Sequence, residues 1–396
     1  MKIKFFEHFD YILFFSVCLL TGLGIAFIYS SGINSERYLV SKEYIKQIMW
    51  ASIGIVIMIG AAVFDYRKVN RYSRILYLCS IVILIYTRLF GKYVNGAKSW
   101  IGIGDLGVQP SELCKVIFIL FLARYLQNSR KDNPLKRFIL ALTIMCGPML
   151  LILIQPDLGT ASVYIPIFLV MCFMADIPIR YLVLVIAGGL ATIIFTVLPI
   201  WEEQILRRSI KILAVLTNNK LLAILIFCCL AVTIVGGMGQ LLFKQKYFYW
   251  ITYVFGIITF ALTASIGARK VLKPYQIQRL IVFLDPSSDP LGSGWNIIQS
   301  KIAIGSGNIL GRGFTQGTQS HYRFLPQQST DFIFSILSEE LGFAGGILVF
   351  ALFFIILLRI IYIIRQTSNM YGTLIASGIL GMFFFHFIVY CIVILI

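Results

Sequence analysis

Long apolar runs dominate this chain and restrict what it can fold into. Residues 11–29, 138–154 and 343–358 each approach the roughly 20 apolar residues that a helix needs to span a bilayer. A transmembrane barrel would instead show short segments of alternating polarity. Charged residues make up 13% of the chain, against about a quarter in soluble domains. The sequence therefore predicts an all-α, polytopic integral membrane protein.

Ten or eleven transmembrane helices are expected, and a long loop on the outer face should carry the functional site. The first apolar run follows "MKIKFFEHFD" and lacks a small-residue cleavage site, so we expect a retained span rather than a signal peptide. The predicted spans are 11–30, 47–65, 75–91, 112–127, 138–156, 159–175, 181–199, 221–243, 247–267, 343–365 and 372–394.

The net charge of +17 is best explained by membrane topology, and no nucleic-acid partner is expected. Basic residues cluster in the loops 67–74 and 124–137, and Lys and Arg concentrate on the cytoplasmic side of membrane proteins. This rule predicts a cytoplasmic N-terminus. It places the loops 92–111 and 268–342 outside.

Two segments on the predicted outer side break the charge rule. They are 201–220, with Arg207, Arg208 and Lys211, and 267–279, with Arg269, Lys270, Lys273 and Arg279. Either the span boundaries are misplaced, or a basic outer surface binds an anionic substrate or lipid headgroup. The first segment has helical spacing and could lie flat at the interface. Both interpretations stay open.

No metal site is visible among the cysteines and histidines. The eight cysteines lie in or beside apolar runs and form no CxxC pair. The three histidines are far apart in the sequence. These residues are predicted to be core or lipid-facing side chains.

The loop 92–111 and the span after it contain the first candidate site residues. Trp100 is either an interfacial anchor or part of a site. Pro110 begins the next helix, and Glu112 and Lys115 share one face of it because they are three residues apart. They form either a snorkelling surface pair or a pair facing a cavity, and ionisable residues at membrane depth favour the second. Asp157 in "QPDLGTA" either caps the next helix or faces the same outer cavity.

The loop 268–342 is long, rich in Gly and Pro, and contains Asp285 and Asp289. Loops of this length in compact proteins are usually functional. Proline follows each aspartate and disfavours a continuous helix, so the two acids should point in different directions. One acid is then catalytic and the other structural, because a single desolvated carboxylate suits a general base.

Cations and a helix start follow in the same loop. Lys301, Arg312 and Arg323, together with permissive glycines, suit phosphate binding. Asp331 is predicted to sit in the first turn of the last loop helix as a capping residue, and the role of Glu340 stays undecided.

Several motifs resemble the SEDS family (shape, elongation, division and sporulation), and most closely its cell-elongation branch. In order along the chain, the motifs are "NGAKSW…VQPSELCK", "QPDLGTA", "DPLGSGWNIIQSKIAIGSG", "GTQSHYRFLP" and "TDFIFSILSEELG". The resemblance covers most of the chain outside 201–275. It implies a ten-helix membrane enzyme that polymerises peptidoglycan glycan strands from lipid II for the elongation machinery. It also implies a location in the bacterial inner membrane and a class B penicillin-binding protein as partner.

The resemblance also implies roles for individual residues. The family's essential outer-loop aspartate falls on Asp289, its tryptophan on Trp100, its cavity pair on Glu112 and Lys115, and its "QPDLGT" aspartate on Asp157. Asp289 is then expected to deprotonate the 4-hydroxyl of the acceptor sugar. Lys301, Arg312, Arg323 or a divalent cation such as Mg or Mn would stabilise the departing pyrophosphate.

Two alternative functions and two departures from the family pattern accompany this interpretation. The alternatives are a lipid II flippase and a non-catalytic scaffold for the penicillin-binding protein. Residues 201–270 are predicted to add a helical hairpin whose cytoplasmic turn is "KQK" at 244–246, within a single domain covering 1–396. The family continues with a further helix where this chain ends in "IVYCIVILI", so either the chain is truncated or the protein lacks that helix.

Overall fold

A computed structural model shows an α-helical protein whose apolar runs form long helices. The structure describes residues 9–94, 97–103, 106–202, 213–271, 282, 285–290, 292, 294–322, 324 and 328–395. Within these ranges nine helices are long and apolar enough to cross a membrane. They are α1 (Tyr11–Ser31), α2 (Glu43–Val63), α3 (Tyr66–Phe90), α5 (Pro134–Ile154), α8 (Ile179–Trp201), α10 (Asn219–Phe243), α11 (Lys246–Val271), α14 (Ile333–Gln366) and α15 (Met370–Leu395).

The two remaining predicted spans also coincide with helices. Residues 112–127 lie in α4 (Pro110–Asn128), whose Pro110 stands in its first turn as predicted. Residues 159–175 coincide with a shorter apolar stretch that divides into α6 (Leu158–Ser162) and α7 (Tyr164–Met174). The polytopic all-α prediction is confirmed.

The loop 92–111 is not irregular, which corrects the prediction. It folds into an antiparallel sheet of β1 (Lys92–Val94), β2 (Ala97–Ile103) and β3 (Leu106–Val108), with β2 in the centre. Its predicted turn at Asn95-Gly96 lies outside the described residues. The central strand therefore carries Trp100 on a rigid element rather than on a free loop.

The predicted loop 268–342 also contains ordered elements. They include a 3-10 turn at Pro286–Ser288, α12 (Trp295–Ser306) and α13 (Thr318–His321). Helix α14 begins at Ile333, ten residues before the predicted span at 343, and α11 extends to Val271. The predicted basic segment 201–220 contains a further short helix, α9 (Ala214–Thr217), which precedes α10.

The chain divides into two compact units. The first comprises Met1–Pro178 and Gln299–Leu395, and the second comprises Ile179–Ile298. In the first unit α1 and α14 are antiparallel. Asp10 before α1 bonds Arg359 near the end of α14 at 2.9 Å, and Ser30 at the end of α1 donates to Glu340 near the start of α14. The start of α1 and the last turns of α14 therefore lie at the same end of this unit.

In the second unit α10 and α11 form a hairpin joined at Lys244, which adopts a left-handed backbone conformation. The guanidinium of Arg269 donates to the backbone carbonyls of Phe195 and Leu216, at 2.5 and 3.1 Å. Arg269 therefore stabilises ends of helices and is not part of an open basic surface. The other basic residues of that prediction, apart from Lys270, lie outside the described residues.

Candidate functional site

Asp289 lies in a tight turn whose backbone folds around it. The turn begins at Asp285, whose side chain accepts a hydrogen bond from the Ser287 N–H at 3.0 Å, as expected of a structural turn residue. The Asp289 carbonyl accepts from the N–H groups of Gly292 and Gly294, at 3.3 and 3.0 Å. A side chain on Gly292 would collide with the Asp289 carboxylate. Asp289 is only partly buried in this turn.

Glu112 and Lys115 form an ion pair on the first turns of α4. Their Oε2 and Nζ atoms are 2.8 Å apart, and the side chains are 52% and 2% exposed. A buried ammonium excludes the snorkelling interpretation for Lys115, because a snorkelling lysine keeps its charge in water. Glu112 remains accessible. The pair is therefore a surface carboxylate backed by a buried cation.

Asp157 caps α6 and also ties that helix to the start of α4. Its carboxylate accepts from the N–H and the hydroxyl of Thr160, at 3.1 and 2.9 Å, and from the side-chain amide of Gln109 at 2.6 Å. The capping role is confirmed. Because Gln109 directly precedes Pro110, the same carboxylate also fixes the helix that carries Glu112.

Trp100 lines a cavity of about 510 Å³ in the first unit. Its ring lies over Gly107 of the neighbouring strand, where a side chain would clash with it. The sequence did not point to the other polar and aromatic residues around this cavity. They are Glu43, Lys46, Gln47, Trp50, Lys92, Ser329 and Thr330. No local motif links them, because the sheet and the helix α2 bring together distant parts of the chain.

The predicted cations differ in how firmly they are held. Lys301 is exposed on α12. Arg312 is also exposed, but its Nη1 donates to the Thr318 hydroxyl at 2.9 Å and its Nε to the Ser306 carbonyl at 3.4 Å. Among the described residues neither cation forms an ion pair. Arg323 lies outside the described residues.

A divalent cation would find few protein ligands. The described part of the chain brings no three His, Cys, Asp or Glu residues together in a way that could hold a metal ion. Mg²⁺ is often bound by one or two carboxylates plus substrate phosphates and water. An ion at Asp289 would therefore depend mainly on substrate oxygens.

A polar cluster that the sequence did not indicate surrounds Glu339 and Glu340. Both residues are fully buried, at 0% exposure. They lie inside α14, whereas the apolar pattern placed them in the loop before it. Asp331 does not cap this helix, which corrects that prediction. The capping position is Phe332, and it forms no side-chain hydrogen bond.

The helices define a multi-pass α-helical membrane protein whose polar residues gather in the segments between spans. A model of the FtsW/RodA/SpoVE family, described as a cell cycle protein, matches residues 11–218 and 205–395. The chain is 51% identical to the peptidoglycan glycosyltransferase RodA of Treponema pallidum, covering 98% of this chain and 90% of that protein. It is 30% identical to the peptidoglycan glycosyltransferase MrdB of Escherichia coli K12, covering 86% and 73%. The protein belongs to the FtsW/RodA/SpoVE family.

Solved structures share the fold. A chain of a peptidoglycan synthase complex, described as coordinating polymerization and crosslinking, matches with a TM-score of 0.65 at 23% identity, covering 98% of this chain and 88% of that one. The rod shape determining protein RodA of Thermus thermophilus matches with a TM-score of 0.55 at 18% identity, covering 97% and 84%. The predicted resemblance to the SEDS family is confirmed.

Proposed function

We propose that this protein is a peptidoglycan glycosyltransferase that polymerises lipid II into glycan strands during cell elongation. One observation carries the proposal: 51% identity over 98% of the chain to a relative named for this activity. This similarity extends over nearly the whole chain and therefore over both compact units.

Asp289 acts as the general base in this proposal. Its carboxylate removes the proton from the 4-hydroxyl of the lipid II acceptor sugar. The resulting oxygen forms a bond to the anomeric carbon of the donor strand. The bond from that carbon to the lipid-linked pyrophosphate breaks, and the pyrophosphate leaves with the electron pair. The partial exposure of Asp289 supports this role, because a base must reach its substrate.

The departing pyrophosphate needs positive charge. Lys301 and Arg312 are suitable because no described carboxylate neutralises either of them, and Arg323 would add a third cation. Trp100, Glu112, Lys115 and Asp157 are proposed to line the substrate path. A divalent cation is an alternative counter-charge that would bind mainly through pyrophosphate oxygens and water.

The active site faces outside the cytoplasmic membrane, and the N-terminus is cytoplasmic. The Asp10–Arg359 ion pair supports a common side for the chain start and the end of α14. The Arg124 guanidinium bonds the carbonyls of Asn70 and Arg71, which supports a common side for both basic loops. By the positive-inside rule, loops with this excess of Lys and Arg belong on the cytoplasmic side. A class B penicillin-binding protein is the proposed partner, and the fold shared with a synthase complex supports it.

Lipid II polymerisation by the protein purified with its partner tests the proposal. Asp289→Asn removes the base while keeping the shape of the side chain. We expect activity to fall by about 10²- to 10⁴-fold, the range typical of a lost general base. Equal polymerisation by Asp289→Asn would disprove the assignment of the base.

The two other functions predict different results in the same experiments. A flippase would move lipid II across proteoliposomes without forming polymer. A scaffold would support normal growth of cells carrying Asp289→Ala at normal protein levels. A cysteine in place of Ser287 should react with an impermeant thiol reagent from outside, and reaction only after the membrane is opened would contradict the topology.

A further inference from the structure

Glu339 and Glu340 are held by hydrogen-bond donors from the segment 306–319 and from α1. The Oε1 atom of Glu339 accepts from the Thr318 N–H at 2.7 Å, the Thr318 hydroxyl at 2.9 Å and the Gln319 N–H at 3.0 Å. Glu340 accepts from the Ser30 hydroxyl at 2.5 Å and the Thr315 N–H at 2.9 Å. We call this cluster the carboxylate clamp. Donors stabilise the buried carboxylates, since neither forms an ion pair in the described part of the chain.

The backbone of the clamp is bonded to the same segment in an unusual way. In a regular helix the carbonyls of Glu339 and Glu340 would accept from the N–H groups four residues later. Here they accept from the N–H groups of Arg312 and Gly313, both at 3.0 Å. The freed N–H groups of Phe343 and Ala344 donate instead to the carbonyls of Asn308 and Ile309, at 2.9 and 3.1 Å.

A glycine makes this exchange feasible. Gly342 has φ +68° and ψ −163°, a conformation that is essentially restricted to glycine, and it breaks the helical geometry inside α14. Two helical hydrogen bonds are thus replaced by four bonds to the loop. Arg312 is thereby fixed at its backbone by the first turns of α14.

The side chain of Arg312 is fixed by the same cluster. Its Nη1 donates to the Thr318 hydroxyl at 2.9 Å, and that hydroxyl donates to Glu339 Oε1 at 2.9 Å. Its Nε faces the Ser306 carbonyl at 3.4 Å. The Nη2 group has no protein partner among the described residues, so it can donate to a ligand. An arginine held on two sides with one free edge is preorganised for an anion.

We propose that Glu339 is a positioning residue that orients Arg312 through the Thr318 hydroxyl, so that the guanidinium meets the departing pyrophosphate. This proposal rests on the proposed function, because it gives Arg312 a leaving group to stabilise. Glu339 itself is buried and does not touch substrate. Its effect belongs to the transition state, where the charge on the pyrophosphate develops.

The test removes one hydroxyl. Thr318→Val keeps the volume and the backbone N–H bond to Glu339 but breaks the link between Glu339 and Arg312, whereas Thr318→Ser keeps the link. We expect kcat of Thr318→Val to fall on the order of tenfold with little change in KM, the effect of one charge-assisted hydrogen bond. Thr318→Ser should stay within about twofold of the wild type. Thr318→Ala serves as a second variant if Thr318→Val does not fold.

A double-mutant cycle with Arg312→Ala shows whether the effect passes through Arg312. In the Arg312→Ala background, Thr318→Val should change kcat by less than about twofold. An equal loss in both backgrounds, or an equal loss in Thr318→Ser, would overturn the proposal.

A binding measurement separates this proposal from the proposed function. The same variants are titrated with undecaprenyl pyrophosphate, which requires no polymerase activity. We expect weaker binding by Thr318→Val only where Arg312 is present. Additive effects on binding reject the positioning role even if the wild type polymerises lipid II. A wild type without polymerase activity rejects only the proposed function, provided the binding effects are non-additive.

Discussion

The Asp289 turn and the carboxylate clamp are two acidic regions built in opposite ways. Asp289 is partly exposed in a short turn of prolines and glycines. Glu339 and Glu340 are fully buried, and their carboxylates accept hydrogen bonds from five residues that lie between 20 and 310 positions away. The difference indicates a division of roles. The proposed base Asp289 is partly exposed, as a group that takes a proton from a substrate must be, whereas the buried carboxylates of Glu339 and Glu340 accept hydrogen bonds that fix a distant chain segment.

The comparison also predicts how each region responds to substitution. Removing a carboxylate of the clamp should mainly destabilise the fold, because buried donors lose their acceptor, whereas Thr318→Val leaves both carboxylates in place and should mainly lower kcat. Changes in the Asp289 turn should mainly reduce activity. The variants below range from the largest expected loss of stability to the smallest.

Gly342→Ala should destabilise the protein most. The added Cβ would lie against the Gly311 N–H and the Ile309 carbonyl, and alanine does not tolerate the backbone conformation of Gly342. We expect a cost of about 4 kcal/mol or more, seen as loss of folded protein in membranes. The matched control is Gly305→Ala on α12, where the new Cβ has no neighbour within 4 Å. Normal folding of Gly342→Ala would show that the kink is dispensable.

Glu340→Ala should have an intermediate effect. The substitution leaves the buried Ser30 hydroxyl and the Thr315 N–H without their acceptor. We expect a loss of about 2–4 kcal/mol in the free energy of unfolding, measured by thermal unfolding in detergent. Asp331→Ala, which removes an exposed acid nearby, should change it by less than about 0.5 kcal/mol. Similar results for both variants would remove the distinction between buried and exposed acids.

Gly292→Ala should barely change stability and yet reduce activity. Its Cβ would collide with the Asp289 carboxylate, which is the end of a side chain and can rotate away. We expect the free energy of unfolding to change by less than about 1 kcal/mol. Polymerisation should fall by about 10- to 100-fold, because the base is displaced. A variant that lost stability but kept its specific activity would contradict a catalytic role for this turn.

The sequence predicted the spanning helices well because each depends on a local apolar run. The eleven predicted spans all coincide with helices. The start of α14 was misplaced because Glu339 and Glu340 look like interfacial residues. Only the folded structure shows that both residues are buried and that donors from distant segments bond their carboxylates. The short sheet around Trp100 was also missed, because glycines interrupt the alternation that identifies a strand.

In the candidate site, too, the sequence predicted the local features but not the contacts between distant residues. Asp157 as a cap follows from its position before a helix, and the structure confirms it. Its hydrogen bond to Gln109 joins residues that are 48 positions apart, and a local sequence pattern cannot predict such a contact. The burial of Lys115 likewise depends on how neighbouring helices pack. The catalytic role of Asp289 stays a prediction.

The exchange of hydrogen bonds at Gly342 makes the segment 308–313 part of α14 in a thermodynamic sense. Neither can open alone, because each holds the other's backbone partners. A partner helix that tilted α14 within the bilayer would therefore move Arg312 with it. Through this coupling, a protein that contacts α14 could control the geometry of a segment outside the helix itself.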